Sequence, residues 1–496
     1  MISQIRLVAG IAILSQILLV SRATAAPFSG GIVVERVGGN ADFTGGASPP
    51  ASNTAVPIFL DEFSLTTGNR IQTISLPATD PDETGPQRQI TENGTATTSG
   101  YLSRSANGAY LVTVGFAVPA GTPGLAGFGT DNNRVIARVS ASGAIDTSTW
   151  YSIDETAQNN ATPRSAASND GLSFYVGTAN GTAGTRYVNF GGEDAVTEGI
   201  GGPGLRTIAV YENRVFLTLA SQFISVKDTA TNGLPVGAAA ANTLTDIGTI
   251  TNTNPLQFIM LNLIPDVGVD GTTLDTMYMA NANNIDAAAS PGGLEKYVFD
   301  GTTFNLQKTF NLGLSTINTE PLFGGLEGVA FAGLDGNGKP IIYATTDAPP
   351  AVGNALVRLV DTGDELDAFT LVANAPVNTA FRGVALAPSA AVAAVPGDYN
   401  NNGVVDAADY VLWRKGGPIQ HEVPGVTPGM VTSEDYTAWR QRFGNTSGSG
   451  SLSAASVPEP DALSLVGMLL FGMILLSRRS ALKCGERSAQ GAGFRV

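Results

Sequence analysis

The stretch Asp170-Gly171-Leu172-Ser173-Phe174-Tyr175-Val176 is a tight turn followed by a strand with aromatic residues at its centre. Asp-Gly favours a turn, and aromatic and β-branched residues favour a strand. The same arrangement recurs at Asn107-Gly108-Ala109-Tyr110-Leu111-Val112-Thr113, Asn213-Arg214-Val215-Phe216-Leu217-Thr218 and Gly338-Lys339-Pro340-Ile341-Ile342-Tyr343-Ala344-Thr345. The first spacings are about 40 to 65 residues, and the last is about twice as long. The sequence therefore repeats one β unit.

Some copies of this unit continue into a second hairpin with a Gly-containing turn. Examples are Val139-Ser140-Ala141-Ser142-Gly143-Ala144-Ile145 and, inside the long gap, Val298-Phe299-Asp300-Gly301-Thr302-Thr303-Phe304. Many short strands separated by turns are typical of a sandwich, barrel, propeller or solenoid. Spacing of this size favours a mainly β protein, a β-propeller of six or seven blades, each a four-stranded antiparallel sheet. A β-sandwich array and a β-helix are the alternatives.

Two further segments predict how the ring closes. Gly325-Leu326-Glu327-Gly328-Val329-Ala330-Phe331 and Phe381-Arg382-Gly383-Val384-Ala385-Leu386 resemble the innermost strands of secreted propellers of the phytase-like and NHL-like kind. The N-terminal strand Ile32 to Val37 is expected to pair in the same blade as the last of them. Closure of this kind removes exposed sheet edges. Glu327 is expected to point into the central channel.

Composition limits the function classes. The 496 residues carry a net charge of -15, which argues against nucleic acid or another anionic polymer as a partner. The only histidine is His421 and the only cysteine is Cys484, so histidine-dependent triads, Cys-His pairs and His-ligated zinc are excluded between Ala26 and Val395. Only carboxylate or calcium chemistry remains for that region, and no catalytic residue is assigned. Its candidates are Asp61, Glu62, Asp80, Asp82, Glu83, Glu193, Asp194, Glu320 and Glu327. The run Asp80 to Glu83 is typical of a solvated loop.

A calcium loop follows the β region. It comprises Asp398-Tyr399-Asn400-Asn401-Asn402-Gly403-Val404-Val405-Asp406-Ala407-Ala408-Asp409. Oxygen-bearing side chains at loop positions 1, 3, 5, 9 and 12, with glycine at 6, suit an EF-hand-type site for one Ca²⁺. The predicted ligands are Asp398, Asn400, Asn402, the carbonyl of Val404, Asp406 and Asp409, with a helix expected from Ala407 to Lys415. An Asn-Gly-rich turn without metal is the alternative.

The loop and its helix resemble half of a type I dockerin. Ser433 to Arg440 repeats the Asp-Tyr-x-x-Trp-Arg pattern of Asp409 to Arg414. The second loop has Pro424, Val426 and Pro428 where ligands would stand, so it is expected to bind no calcium. The resemblance implies a cohesin-like partner, and a folded spacer is the alternative.

The N-terminus predicts export. Arg6, an apolar stretch from Leu7 to Val20, and Ala23-Thr24-Ala25-Ala26 form a secretory signal peptide with cleavage between Ala25 and Ala26. The Sec machinery is the expected partner at this stage. An uncleaved signal anchor is the alternative.

The C-terminus predicts a sorting signal. Val457-Pro458-Glu459-Pro460 is followed by an apolar run of fifteen residues, Ala462 to Leu476, and then by Arg478-Arg479. The run has no polar face at a helical period, which favours a transmembrane helix over a core helix. These three parts resemble the PEP-CTERM signal, which implies processing by an exosortase, a membrane-embedded protease-transpeptidase. Here Ser480 to Val496 continue beyond the usual end of that signal.

The predicted order along the chain is therefore a signal peptide (1-25), a propeller domain (26-395), a dockerin-like module with a degenerate second half (396-444), a Ser/Gly linker (445-456), a PEP-CTERM segment (457-479) and a cytoplasmic tail (480-496). This order predicts an exported bacterial protein, first anchored in the inner membrane and then sorted to the cell envelope, outer surface or extracellular matrix. A non-enzymatic protein that binds polysaccharide or another extracellular component is favoured. The alternatives are a calcium-dependent phytase-like or esterase-like propeller hydrolase and a dockerin-bearing accessory of a polysaccharide-degrading system.

Overall fold

The structure is a computed structural model. It describes residues 26-82, 85-125, 133-151, 162-178, 185-192, 205-219, 222-236, 242-249, 254-265, 267-285, 291-317, 325-348, 350-389, 396-399, 404-416, 419 and 431-445. The predicted signal peptide, the PEP-CTERM segment with its arginines and the C-terminal tail lie outside these residues. The chain divides into two compact units, Met1–Ala391 and Val392–Val496.

The first unit is built almost entirely from strands. They are β1 (Ile32–Val37), β2 (Ala55–Val56), β3 (Ile58–Phe63), β4 (Arg70–Ser75), β5 (Glu92–Asn93), β6 (Ser103–Arg104), β7 (Tyr110–Phe116), β8 (Arg134–Ser140), β9 (Ile145–Tyr151), β10 (Pro163–Ala167), β11 (Ser173–Thr178), β12 (Thr185–Asn189), β13 (Thr207–Tyr211), β14 (Arg214–Thr218), β15 (Gln222–Asp228), β16 (Asn242–Thr249), β17 (Pro255–Leu261), β18 (Thr276–Asn281), β19 (Gly293–Phe299), β20 (Phe304–Phe310), β21 (Leu326–Leu334), β22 (Pro340–Thr346), β23 (Ala355–Val360), β24 (Thr370–Asn374) and β25 (Ala380–Leu386). A single helical turn, α1 (Leu314–Ile317), precedes β21.

These strands form a six-bladed β-propeller, which decides between the six and seven blades that the repeat allowed. Blade 1 is β6-β7-β8-β9, blade 2 is β10-β11-β12, blade 3 is β13-β14-β15-β16, blade 4 is β17-β18-β19-β20, blade 5 is β21-β22-β23-β24 and blade 6 is β25-β1-β3-β4. Each blade is antiparallel, and the short strands β2 and β5 pair separately. The innermost strands of neighbouring blades contact one another around the ring.

Ring closure occurs as the sequence predicts. The N-terminal strand β1 lies between β25 and β3, with Ile32 opposite Leu386 and Val37 opposite Ala380. All six residues of β1 are buried, because the strand has a neighbour on each side and a blade against each face. Blade 6 thus joins the two ends of the propeller sequence, and the N-terminal strand β1 has no free edge.

The repeated aromatic-centred strand is the second strand of its blade. The four copies found in the sequence are β7, β11, β14 and β22. In the long gap, the equivalent strand is β18, where Tyr278 lies between Met277 and Met279 and the turn at Asp270-Gly271 precedes the strand. The predicted hairpins at Val139 to Ile145 and Val298 to Phe304 are confirmed as the turns between β8 and β9 and between β19 and β20.

The second unit contains two helices, α2 (Ala407–Arg414) and α3 (Ser433–Arg442). They are related by a reciprocal pair of hydrogen bonds. Trp413 Nε1 donates to the carbonyl of Thr432 at 2.7 Å, and Trp439 Nε1 donates to the carbonyl of Asp406 at 2.7 Å. Each acceptor is the residue that caps the partner helix. The repeated Asp-Tyr-x-x-Trp-Arg pattern therefore corresponds to a repeated local structure. No helix in the described residues is long and apolar enough to cross a membrane.

Candidate functional site

Ionisable side chains gather where the innermost strands begin. Glu327 is the second residue of β21, Arg382 the third of β25 and Arg164 the second of β10, whereas Tyr101 and Arg206 come just before β6 and β13. A parallel bridge joins Tyr101 to Ser165, as expected when neighbouring innermost strands run in the same direction. These five blades therefore place a titratable residue at the same end of the central channel.

Glu327 and Arg382 form the only ion pair with both side chains fully buried that the described residues place at this end. Arg382 Nη1 donates to Glu327 Oε2 at 3.0 Å, and both side chains are 0% exposed. Burial raises the pKa of Glu327 well above its usual value, although Arg382 opposes that shift. Asp347, which follows β22, adds to the rise. The two side chains are thus a buried ion pair, and both have lost their contact with water.

Two more carboxyls lie beside this pair. Burial raises the pKa of Glu35 to about 8, and the nearby Glu92 adds to the rise while Thr113 and Arg382 oppose it. Burial also raises the pKa of Glu92 to about 7. Glu92 accepts from the backbone N–H of Asn93 at 2.6 Å and from Ser99 Oγ at 3.0 Å. Neither oxygen of Glu35 accepts a hydrogen bond of ordinary geometry from the described residues. Near neutral pH, Glu35 is therefore largely protonated.

The outer part of the site is half-buried. Asp347, Arg164 and Arg206 are each partly exposed, and burial raises the pKa of the Asp347 carboxyl to about 6 while Arg382 opposes the shift. Burial lowers the pKa of Arg164 to about 10, and the nearby Arg206 lowers it further. We call the whole group the axial cluster. It comprises Glu35, Glu92, Tyr101, Arg164, Arg206, Glu327, Asp347 and Arg382.

The axial cluster predicts a specific pH dependence of folding. Because the native pKa of Glu35 is about 8 against an ordinary value of 4.5, its contribution to stability is complete below about pH 4.5 and is lost as the pH rises to about 8. Replacing Glu35 by glutamine removes the ionisable group but keeps its shape. We expect Glu35→Gln to raise the free energy of unfolding at pH 8.5 by at least about 2 kcal/mol and to change it little at pH 4.5. Urea unfolding at the two pH values, followed by circular dichroism, measures this.

The matched control is Glu365→Gln, since Glu365 is exposed in the turn between β23 and β24. This variant should follow the wild-type profile at both pH values. Parallel profiles for wild type and Glu35→Gln would contradict the assignment of a raised pKa to Glu35.

Gln257 links three innermost strands next to the axial cluster. Its Nε2 donates to the carbonyl of Leu102 at 2.8 Å and to that of Val384 at 3.1 Å, and its Oε1 accepts from Val329 N at 3.3 Å. One side chain from blade 4 thereby ties together innermost strands of blades 1, 5 and 6. Next to it lies a cavity of about 510 Å³, which is lined by Tyr101 of the axial cluster, by Gln257 and by residues of the innermost strands, and which is largely apolar.

The candidate carboxylates predicted from the sequence lie in different parts of the structure. Asp61 pairs with the buried Arg36, with 2.6 Å between Oδ2 and Nε, and Arg36 also packs over Phe59. Glu62 accepts from the backbone N–H of Ser29 at 2.8 Å and of Gly31 at 2.9 Å. Both therefore stabilise blade 6 and its N-terminal segment rather than a site.

The remaining candidates differ in their surroundings. Asp80 is exposed and accepts from the backbone N–H of Asp82, as a loop residue does. The predicted candidates Glu83, Glu193, Asp194 and Glu320 lie outside the described residues. Of the candidates that the structure describes, Glu327 alone lies in the axial cluster, and its role as a channel residue stays a prediction.

Sequence reasoning missed most of the axial cluster. Glu35 lies within the strand Ile32–Val37, which was predicted only to close the ring, and Arg382 lies within the strand that was identified by its resemblance to innermost propeller strands. The available signal was a charged side chain within an otherwise apolar strand, because a buried charge requires a partner. That signal would have selected Glu35, Glu327 and Arg382 together.

The calcium loop is described only in part. Asp398 and Asp409 are both 0% exposed, whereas Asn400 and Asn402 lie outside the described residues. Asp409 Oδ2 accepts from the backbone N–H of Asp406 at 2.7 Å, which completes a capping box at the start of α2. Val404 lies just before this cap. No group of three His, Cys, Asp or Glu side chains suited to a metal occurs among the described residues.

Comparisons with known proteins place the chain in no family. No family model and no curated protein sequence matches it. Among solved structures, the chain is similar to the lignostilbene dioxygenase of Pseudomonas brassicacearum, at 9% identity over 74% of this chain and 96% of that one, with a TM-score of 0.33. It is also similar to an ACO/RPE65 chimera, at 10% identity over 73% and 93% with a TM-score of 0.34. The hemagglutinin-neuraminidase ectodomain of parainfluenza virus 5 matches at 8% identity over 65% and 75%, with a TM-score of 0.33. Matches this distant assign no ligand or activity to the chain.

Proposed function

We propose that this chain is an exported propeller protein, sorted to the cell envelope, that binds polysaccharide at the axial cluster. The observation that carries the proposal is the set of buried polar atoms at this end of the channel that have no hydrogen-bond partner among the residues that the structure describes. They include both oxygens of Glu35, the hydroxyl of Tyr101 and one oxygen each of Glu327 and Asp347. Buried polar groups are normally hydrogen-bonded, and a hydroxyl-rich ligand supplies both donors and acceptors.

The export and sorting parts of this proposal rest on the sequence. The signal peptide with Ala25 and Ala26, and the Val457-Pro458-Glu459-Pro460 box with Arg478-Arg479, support routing by the Sec machinery and an exosortase. Mass spectrometry of the protein recovered from the cell surface tests this. A mature chain that begins at Ala26 and ends near the box supports the proposal, whereas a full-length cytoplasmic chain contradicts it.

Binding at the axial cluster is tested with the full chain and a panel of neutral and acidic polysaccharides in affinity electrophoresis. Asp347→Asn should reduce the retardation, because Asp347 is a partly exposed member of the cluster. Asp335→Asn is the control. Asp335 follows β21 at the end opposite to Glu327, and it lies in an exposed turn. Absence of retardation by every polysaccharide overturns the proposed function.

A hydrolase is the second candidate, favoured by the raised pKa of three cluster carboxyls. Glu35, Glu92 and Asp347 have pKa values of about 8, 7 and 6, and a carboxyl that is protonated near neutral pH can act as a general acid. New reducing ends released from a bound polysaccharide, and lost in the Glu35→Gln variant, would establish catalysis.

For the second unit we propose one Ca²⁺ held by Asp398, Asn400, Asn402, the carbonyl of Val404, Asp406 and Asp409. The burial of Asp398 and Asp409 supports this, because buried carboxylates are stabilised by a cation. A cohesin-like partner would then bind the helix pair, and a pull-down that is unchanged by Asp398→Ala would remove that part of the proposal.

Calcium binding gives a fluorescence prediction. The chain has three tryptophans, and Trp413 and Trp439 both lie in the helix pair. Addition of Ca²⁺ to the chelated protein should change tryptophan emission with one site per chain, and Asp398→Asn should weaken binding at least about tenfold. Ser433→Ala in the second half is the control. Equal titrations of wild type and Asp398→Asn would contradict the predicted ligand set.

A further inference from the structure

Three arginines surround Tyr101 on consecutive blades. Arg382 lies on blade 6, Tyr101 leads into blade 1, Arg164 lies on blade 2 and Arg206 leads into blade 3. Backbone contacts fix their spacing, because Gly383 N donates to the carbonyl of Gly100 at 2.8 Å and Tyr101 N donates to the carbonyl of Arg164 at 3.4 Å. The arrangement is therefore built into the ring and does not depend on flexible loops.

Only some of the hydrogen-bond donors of these arginines and of Tyr101 have an acceptor among the described residues. Arg382 Nη1 bonds Glu327, and Arg164 Nη1 donates to the carbonyl of Leu205 at 2.7 Å. The buried Nε atoms of Arg164 and Arg206, Nε and Nη2 of Arg382 and the hydroxyl of Tyr101 have no hydrogen-bond partner within the described part of the chain. Tyr101 is 2% exposed, so its hydroxyl has almost no access to bulk solvent. These unpaired donors suit an acceptor-rich ligand.

The charges at the rim favour an anion. Arg164 and Arg206 repel each other, and both are partly exposed. The carboxylate paired with Arg382 belongs to Glu327, and the described residues place no carboxylate in an ion pair with Arg164 or Arg206. Two neighbouring guanidinium groups match a planar carboxylate, which can accept two parallel hydrogen bonds from each fork.

We propose that Arg164 and Arg206 bind the carboxylate of an acidic sugar residue, with Tyr101 and Asp347 contacting its hydroxyl groups. This inference rests on the proposed function, because it names the class of polysaccharide that the axial cluster takes. Asp347 is the partly exposed acceptor of the cluster, and Oδ1 of its carboxyl has no partner among the described residues. The net charge of -15 does not oppose such a ligand locally, since the rim itself is cationic.

The test uses calorimetry with the full chain and two matched probes, a galacturonic acid trisaccharide and its carboxyl-reduced neutral counterpart. We expect the acidic probe to bind at least about tenfold more tightly than the neutral one. Arg206→Gln should remove most of that difference. Arg206 makes no side-chain hydrogen bond among the described residues, so this variant should keep its fold, and an unchanged melting temperature checks that. Arg164→Gln is the second variant.

Arg70→Gln is the control, because Arg70 is exposed on the outermost strand of blade 6. It should bind both probes as the wild type does. Equal affinity for the two probes, or an unchanged preference in Arg206→Gln, overturns the inference and leaves the proposed function standing. Binding of neither probe, together with no retardation by any polysaccharide, overturns both. Displacement of the acidic probe by inorganic phosphate but not by free glucuronate overturns the carboxylate assignment.

Discussion

Replacing Arg382 by methionine is expected to lower the free energy of unfolding by about 4 kcal/mol at neutral pH. The substitution keeps the volume of the aliphatic stem but leaves Glu327 as a fully buried carboxyl with no cationic partner. Removal of one member of a buried ion pair is costly because the other charge remains desolvated. Urea unfolding followed by circular dichroism measures the loss.

The effect should depend on pH in a defined direction. Arg382 is the main group that opposes the raised pKa of Glu327, so its removal raises that pKa further. A raised native pKa of a carboxyl gives stability at low pH that is lost as the pH rises. Arg382→Met should therefore be less harmful at pH 5 than at pH 8.

A double variant separates charge from packing. In Arg382→Met with Glu327→Gln, no buried carboxyl remains at position 327, and the loss should fall to about 2 kcal/mol or less. Arg70→Met is the surface control and should change stability by less than about 0.5 kcal/mol. Two results would contradict this prediction. They are a loss below about 1 kcal/mol in the single variant and equal losses in the single and double variants. Either would show that the buried ion pair contributes little to the free energy of unfolding.

The propeller could be predicted from the sequence because its blades repeat a local pattern. Turn residues such as Asp170-Gly171, followed by alternating aromatic and β-branched residues, specify a second strand wherever they occur. Ring closure by the strand Ile32–Val37 could also be predicted, since both it and Phe381 to Leu386 are apolar and lie at opposite ends of the repeat. Blade 4 was harder to find because its Asp270-Gly271 turn stands further from the aromatic residue Tyr278 than the Asp170-Gly171 turn stands from Phe174.

Of the residues in the axial cluster, the sequence singled out only Glu327. Glu327 was recognised because glycines flank it, but Glu35, Glu92, Arg164 and Arg206 share no sequence pattern. Glu35, Arg164 and Arg206 come from three different blades and Glu92 from the separate pair of β2 and β5, and the closed ring alone brings them together. Residues far apart in the chain meet at the axis because every innermost strand begins at the same end. A pattern of neighbouring residues in the sequence cannot predict contacts between residues that are so far apart in the chain.

Closure of the ring also depends on Gly383, where the space beside Cα admits a hydrogen atom but no side chain. A Cβ atom at Gly383 would lie 2.7 Å from the carbonyl oxygen of Gly100 and 2.7 Å from Tyr101 Cα, and would contact Leu102 N as well. All three are backbone atoms of the segment that leads into blade 1, so no side chain can move aside. Gly383→Ala is therefore expected to cost about 3 kcal/mol of unfolding free energy, measured by urea unfolding.

Gly336→Ala is the matched control, because a Cβ atom there meets nothing within 4 Å and the glycine has no positive φ. It should leave the unfolding midpoint unchanged. If blade 6 must move away from blade 1 to admit the methyl group, then Arg382 moves with it, and Gln257 loses its bonds to Val384 and Leu102. Gly383→Ala should thus also weaken binding of an acidic saccharide at the axial cluster. A stable variant with unchanged binding would mean that the two blades tolerate a wider separation than this backbone contact implies.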